Sequence, residues 1–221
     1  MRAYVGFAFI TLASACADTT TPLETSAVDP STIVSNVVVN GNGSAVTVQL
    51  RWFSKSDTTR LLVLGGGDRL VARAADATER DLAAVDDQYF VLIPTKASSI
   101  TIALVRPTGE IAIDVPLPVP FVVTAPAGPV SRAQPITLTW APSPGPVDLR
   151  VASACFVGAI SRRVAEDTGS FTFYPGDFGT GVAACSLDVV VSRSTYFTTK
   201  TPLALGGPTA QLRTIHLETT P

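Results

Sequence analysis

Residues 46–52 read Val46-Thr47-Val48-Gln49-Leu50-Arg51-Trp52. Apolar Val46, Val48, Leu50 and Trp52 alternate with polar Thr47, Gln49 and Arg51, the period of two that sends successive side chains to opposite faces of a β-strand. One face is therefore buried and the other wet, as in an antiparallel sheet packed on one side. Upstream, Val37, Val38 and Val39 form a second strand-forming run. Asn40-Gly41 and Asn42-Gly43 lie between the two runs and tolerate the positive φ that a hairpin turn requires. Downstream the pattern recurs at residues 60–64, 69–73, 88–93, 100–106 and 110–115, with turns at Gly65-Gly66-Gly67-Asp68 and Pro107-Thr108-Gly109. Residues 79–85 suit either a short strand or one helical turn. No window holds a helical period, so the fold class expected is all-β.

Pro116, Pro118 and Pro120 alternate with apolar residues, which excludes a central strand pair and predicts a stiff, polyproline-like connector. The chain is thereby divided into a first β-domain over 32–118 and a second over 119–221. The second holds strand patterns at 121–123, 136–140, 147–155, 162–166, 170–174, 185–193 and 211–218, with turns at Asp167-Thr168-Gly169 and Pro175-Gly176. About seven strands in about 100 residues suit a sandwich. Ile136, Leu138 and Trp140 share a face and are followed by Pro142. This segment resembles the second strand of fibronectin type III and related immunoglobulin-like sandwiches. The mature chain as a whole resembles the uncharacterised two-domain β-sandwich lipoproteins of Gram-negative bacteria. The residues that carry this likeness are Leu64 through Leu70, Pro126 through Trp140, the Cys155 and Cys185 pair around Asp167-Thr168-Gly169, and Gln211-Leu212-Arg213. The resemblance implies tandem immunoglobulin-like sandwiches and assigns no chemistry.

At the amino end, Arg2 precedes a ten-residue apolar stretch, residues 3–12, and then small residues up to Cys16. This is the pattern of a secretion signal over 1–15, and as a helix the ten apolar residues would span about 15 Å, half of a bilayer's hydrocarbon core. Leu12-Ala13-Ser14-Ala15-Cys16 resembles a bacterial lipobox, which implies cleavage before Cys16 and lipidation of its sulfur; an ordinary signal peptide cut after Ala15 or Ala17 is the alternative. Ala17 follows the cysteine, and by resemblance to known sorting rules this points to an outer-membrane lipoprotein of the cell envelope. Residues 16–31, rich in Thr, Ser and Pro, read as the lipidated cysteine and a flexible tether. Three cysteines are an odd number, so lipidation of Cys16 leaves Cys155 and Cys185 to pair. Cys155 closes one predicted strand and Cys185 opens another. A bridge between them would contribute about 3.5 kcal/mol on the chain-entropy model; two buried free thiols are the other possibility.

The composition narrows the chemistry. Of 221 residues, 46% are hydrophobic, which excludes a disordered chain. A formal net charge of −2 lacks the basic excess that nucleic-acid binding normally needs. One histidine, His216, must serve any Ser-His or Cys-His dyad, and its position beside Thr214 and Glu218 reads as a solvated strand residue. No metal or cofactor site is expected. The carboxylates Asp76, Glu79, Asp81, Asp86, Asp87, Glu166 and Asp167 fall near predicted turns and lack the order of a calcium loop. Trp52 and Trp140 point inward, which leaves Tyr174, Phe178, Tyr196 and Phe197, near loop ends, as the possible binding surface. The expected function is non-catalytic: a lipid-anchored binding, adhesion or assembly module whose partners are the membrane and an unknown envelope protein or glycan. The alternatives are a carboxylate-dependent hydrolase of envelope glycans using Asp86 and Asp87, and a ligand-carrying module.

Overall fold

The computed structural model describes residues 22–86, 88–153, 155–156, 158–178, 183–199 and 204–221. The signal segment, Cys16 and Asp87 lie outside the described residues. The alternating pattern becomes strands throughout. In chain order the first ten are β1 (Leu23–Glu24), β2 (Ile33–Gly41), β3 (Val46–Ser54), β4 (Asp57–Val63), β5 (Arg69–Ala74), β6 (Ala77–Asp81), β7 (Ala83–Val85), β8 (Gln88–Ile93), β9 (Ser99–Arg106) and β10 (Gly109–Pro116). Then come β11 (Val123–Thr124), β12 (Val130–Ser131), β13 (Ile136–Trp140), β14 (Val147–Ser153), β15 (Ala159–Val164), β16 (Ser170–Phe173), β17 (Cys185–Thr198) and β18 (Ala204–Thr220). No α-helix occurs among the described residues. The undecided stretch 79–85 splits into β6 and β7, with Leu82 buried between them.

Two sandwiches share one sheet. The shared sheet runs β1-β4-β3-β2-β18-β17-β14-β15, with β8 also beside β3 and β7 beside β8. A four-stranded sheet, β10-β9-β5-β6, packs on its first half, and a three-stranded sheet, β11-β13-β16, packs on its second. The first core joins Val37, Val48, Leu50 and Trp52 of the shared sheet to Leu70, Ile100, Ile102 and Leu104 of the smaller sheet. The second joins Leu149, Leu187, Val189 and Val191 to Ile136, Leu138, Trp140 and Phe173. The connector passes from one core to the other: Leu117 packs in the first and Phe121 in the second. At the hairpin between β2 and β3, the Asn42 side-chain oxygen accepts from Ser44 N at 3.0 Å and Ala45 N at 2.8 Å, while Gly43 takes φ 86°. The turn is thus built from the two residue types that its sequence advertised.

Two expectations are corrected. The first is the tether. Residues 23–31, read from composition as flexible, lie against the first sandwich: Leu23 and Glu24 pair in parallel with Leu62 and Val63, and Thr25 is fully buried. Arg106 donates to the carbonyls of Thr25 at 2.7 Å and Val28 at 3.0 Å, and its Nε lies 3.3 Å from Asp68. Small Thr and Ser side chains lose little rotamer freedom, and main-chain acceptors for one arginine, with Val28 in the first core and Leu23 packed against it, hold a segment that has no apolar period.

The second correction concerns the final hairpin. Strands expected over 185–193 and 211–218 extend through Thr198 and start at Ala204. The added length carries β18 out of the second sandwich and into the first, where Ala204 to Gly206 and Thr209 to Gln211 pair in parallel with β2. Phe197 and Leu205, both beyond the connector, therefore belong to the first core. Gly207 permits this crossing, because a Cβ there would collide with the Val37 backbone carbonyl. Pro208, which has no N–H to offer a ladder, occupies the interruption between the two stretches of β2 pairing.

Candidate binding face

Along β18, the odd-numbered residues Leu205 and Leu217 enter the first and the second core respectively. On β17, Phe197 enters the first core while Leu187, Val189 and Val191 enter the second, again all odd-numbered. Residues of one parity share one face of a strand. Both smaller sheets therefore cover the same side of the shared sheet, and among the described residues the other side is covered by no sheet. A cross-strand row on this bare face runs from Leu92 through Thr47, Asn40 and Ala210 to Ser194, directly across the boundary between the sandwiches. The face carries Phe90, Gln88, Gln49, Asn36 and Val38 in the first half, and Val190, Ser192, Arg150 and Arg163 in the second. Leu92 is 50% exposed and Tyr196 71% exposed, both large for strand residues of a packed fold.

Two depressions mark it. One, of about 210 Å³, lies among Asn36, Val38, Gln49, Arg51 and Gln88. The other, of about 570 Å³, crosses the far end of the sheet over β15, β14, β17 and β18. Strand-borne side chains have little freedom to move, so a surface of this kind presents its groups in fixed register.

On the covered side, the junction between the smaller sheets is polar. Arg193 is 7% exposed and Asp167 1% exposed at their side chains, and they pair at 2.6 Å. Asp167 also accepts from Trp140 Nε1 at 2.6 Å, Gly169 N at 2.9 Å and Ser143 N at 3.1 Å. Burial pushes the Asp167 carboxyl up, but these hydrogen bonds outweigh it and hold the group below the usual aspartate value. The Arg193 guanidinium sits 4.4 Å from the centre of the Phe121 ring, and Arg213 sits 5.3 Å from it. A cleft of about 570 Å³ opens beside this cluster, at Lys96, Val122, Thr124 and Arg213. Both arginines are occupied: Arg213 donates to the carbonyls of Phe121 and Leu212, and Arg193 to that of Ala141. The cluster fastens the second sandwich to the connector.

The four aromatic residues expected to form one binding surface are not brought together. Phe178 is 4% exposed and packs on Phe173 at 4.9 Å between ring centres, because the turn before it folds back over the second core. Phe197 is 8% exposed, its odd position on β17 turning it into the first core. Tyr174 and Tyr196 are exposed, on different elements. Trp52 and Trp140 are buried, as their strand parity requires. Cys155 and Cys185 form a disulfide with Cα atoms 6.1 Å apart, joining the end of β14 to the start of β17.

Four of the singled-out carboxylates, Asp76, Glu79, Asp81 and Asp167, are engaged in structure, and Glu166 is exposed. Asp76 accepts from Thr95 and from Lys96 N. Glu79 and Asp81 bind Arg69, and Glu79 and Glu110 bind Arg73, in a ladder across the outer face of the four-stranded sheet. Asp86 sits in the β7–β8 turn with φ 53°, an uncommon conformation that Asp tolerates better than most residues. His216 is exposed and pairs with Asp188 across β17 and β18 at 2.5 Å. Among the described residues no group of three or more metal-binding side chains converges. The bare face was missed because its signal lies in the register between strands distant in sequence. Alternation along each strand reveals the wet residues but not their neighbours.

No family model matches this chain, and no curated protein does. Among solved structures, it is similar to the FN1-FN3 domains of chicken CNTN1, with a TM-score of 0.29 and 12% identity over 85% of this chain and 63% of that one. A cytokine receptor complex gives 0.31 and 13% over 80% and 94%. A mutant of Salmonella alpha-2-macroglobulin gives 0.28 and 11% over 88% and 16%. The chain thus spans less than two thirds of the first and third of these structures. The sandwich architecture stands on the sheets and cores described above.

Proposed function

We propose that this chain is a lipid-anchored protein of the bacterial cell envelope that acts by binding, through the bare face of its shared sheet, and not by catalysis. The observation that carries the reading is the row from Leu92 to Ser194: one hydrogen-bonded surface continues across both sandwiches, with exposed Leu92 and Tyr196 upon it. A face that crosses two cores in fixed register is pre-organised, so less ordering entropy is lost when a partner binds. The lipobox-like run ending at Cys16 supplies the anchor, and two or three acyl chains at about 0.8 kcal/mol per buried methylene make attachment stable. Its partner is an envelope protein or glycan.

Two measurements test the two halves of the proposal. Metabolic labelling with a fatty-acid analogue is expected to mark the native protein and not the Cys16→Ala variant; absence of label removes the anchor. Crosslinking in intact cells is expected to capture a partner that is lost on Leu92→Asp or Tyr196→Asp and retained on Val122→Asp, which alters an exposed residue away from the face. Equal capture by all three variants removes the face.

A further inference from the structure

The larger depression on the bare face is lined by arginines. Strand register places Arg163, Asp148, Ser192 and Leu212 in one row across it, and Ser161, Arg150 and Val190 in the next. Arg163 lies 3.5 Å from Asp148, and Arg162, at the rim, binds Asp177 at 2.8 Å. Arg150 forms no ion pair among the described residues. Within the groove Arg150 and Arg163 thus stand against Asp148, leaving a local positive excess in a chain whose formal net charge is −2. Half-buried Val190 and Leu212 form an apolar floor at the other end of the groove.

We propose that this groove binds a carboxylated polysaccharide, with a sugar carboxylate on the Arg150 fork, ring hydroxyls at Ser161 and Ser192, and the apolar faces of sugar rings over Val190 and Leu212. The inference deepens the binding role proposed above and names the ligand class. Guanidinium matches carboxylate with two parallel hydrogen bonds, which makes it selective for this group. The direction of the groove separates a glycan from an acidic peptide. A peptide adding to the free edge at β15 would run along the strands, as main-chain pairing demands. This groove runs across four strands, about 14 Å at the usual strand spacing, and reaches that edge, where a longer polymer can continue.

The test is calorimetric titration of the full chain at low salt with tetramers of galacturonic acid and of mannuronic acid. Binding of at least one is expected. It should weaken about tenfold or more in Arg150→Ala, in Arg150→Gln and with the carboxyl-reduced, neutral tetramer, while melting temperature stays unchanged. Failure of both acidic tetramers to bind, undiminished binding by the Arg150 variants or the neutral tetramer, or tighter binding of a poly-glutamate peptide would overturn the proposal. None of these outcomes alters the labelling result at Cys16, so the anchor and the ligand class fail separately.

Discussion

Among the described residues the first sandwich buries 23 apolar side chains in its core and the second 13. The two compensate differently. In the first, most ion pairs stand outside, in the ladder of Arg69, Arg73, Glu79, Asp81 and Glu110, where each exposed pair is worth under about 1 kcal/mol, and one, Arg106 with Asp68, is buried beneath the amino-terminal segment. In the second, an ion pair lies inside, Asp167 with Arg193, and a disulfide ties β14 to β17. A small core leaves less apolar burial to offset chain entropy, and staples make up the difference. Each sandwich has one of the two tryptophans, Trp52 and Trp140, so the comparison can be measured one half at a time. Trp52→Phe isolates the second signal: the buried Trp52 indole N–H has no hydrogen-bond partner to lose, and the cost is that of the space the smaller ring leaves in the first core.

The largest expected effect is in the second sandwich. Asp167→Ala leaves Arg193 buried without its counter-ion and should cost about 4 kcal/mol, read from urea unfolding by Trp140 fluorescence. A loss below about 1 kcal/mol would break the contrast drawn between the two halves. The same carboxyl sets a pH dependence. Its folded pKa lies below the unfolded value of 3.8, so its contribution is present above that value and is lost as pH falls through the lower, folded one. Asp167→Asn should flatten the acid limb of the Trp140 transition below pH 3.8.

Next comes the disulfide. Its reduction, or Cys155→Ala with Cys185→Ala, should destabilise the second sandwich by about 3.5 kcal/mol, read at the Trp140 transition. Gly207→Val should cost roughly 2–3 kcal/mol, because the new side chain meets the Val37 backbone where β18 crosses between sandwiches. Its clearer signature is qualitative: Trp52 and Trp140 transitions that coincide in the native chain should separate. Coincident transitions in the variant would mean that the sandwiches are coupled elsewhere. The smallest effect is on the bare face, where Leu92→Ser and Tyr196→Ser should shift stability by less than about 0.5 kcal/mol in thermal melts.

Much of the fold is legible residue by residue. The alternation at 46–52 determines which face of β3 is buried, and Asn42-Gly43 determines its hairpin, because both depend on neighbours within a few positions. The Cys155 and Cys185 pair was legible from cysteine number and strand ends. The candidate face was not. Phe178 and Phe197 read as exposed because they stand near loops, yet a turn and a strand parity bury them. Thr25 and Val28 read as tether because no periodic pattern surrounds them, yet Arg106, about eighty residues away, supplies the contact.

By itself the amino-acid sequence determined an all-β chain, two clusters of strands around two tryptophans, a disulfide, and a lipobox-like amino end, since all of these are written in local period, turn chemistry and residue count. Only the tertiary structure decided that β18 leaves its own sandwich to pair with β2, and that one face, covered by no sheet among the described residues, therefore runs the length of both. Gly206-Gly207-Pro208 has the composition of a turn; it becomes strand because the Val37 backbone approaches where any side chain would collide, and such an approach depends on a partner some 170 residues distant, which no local pattern encodes.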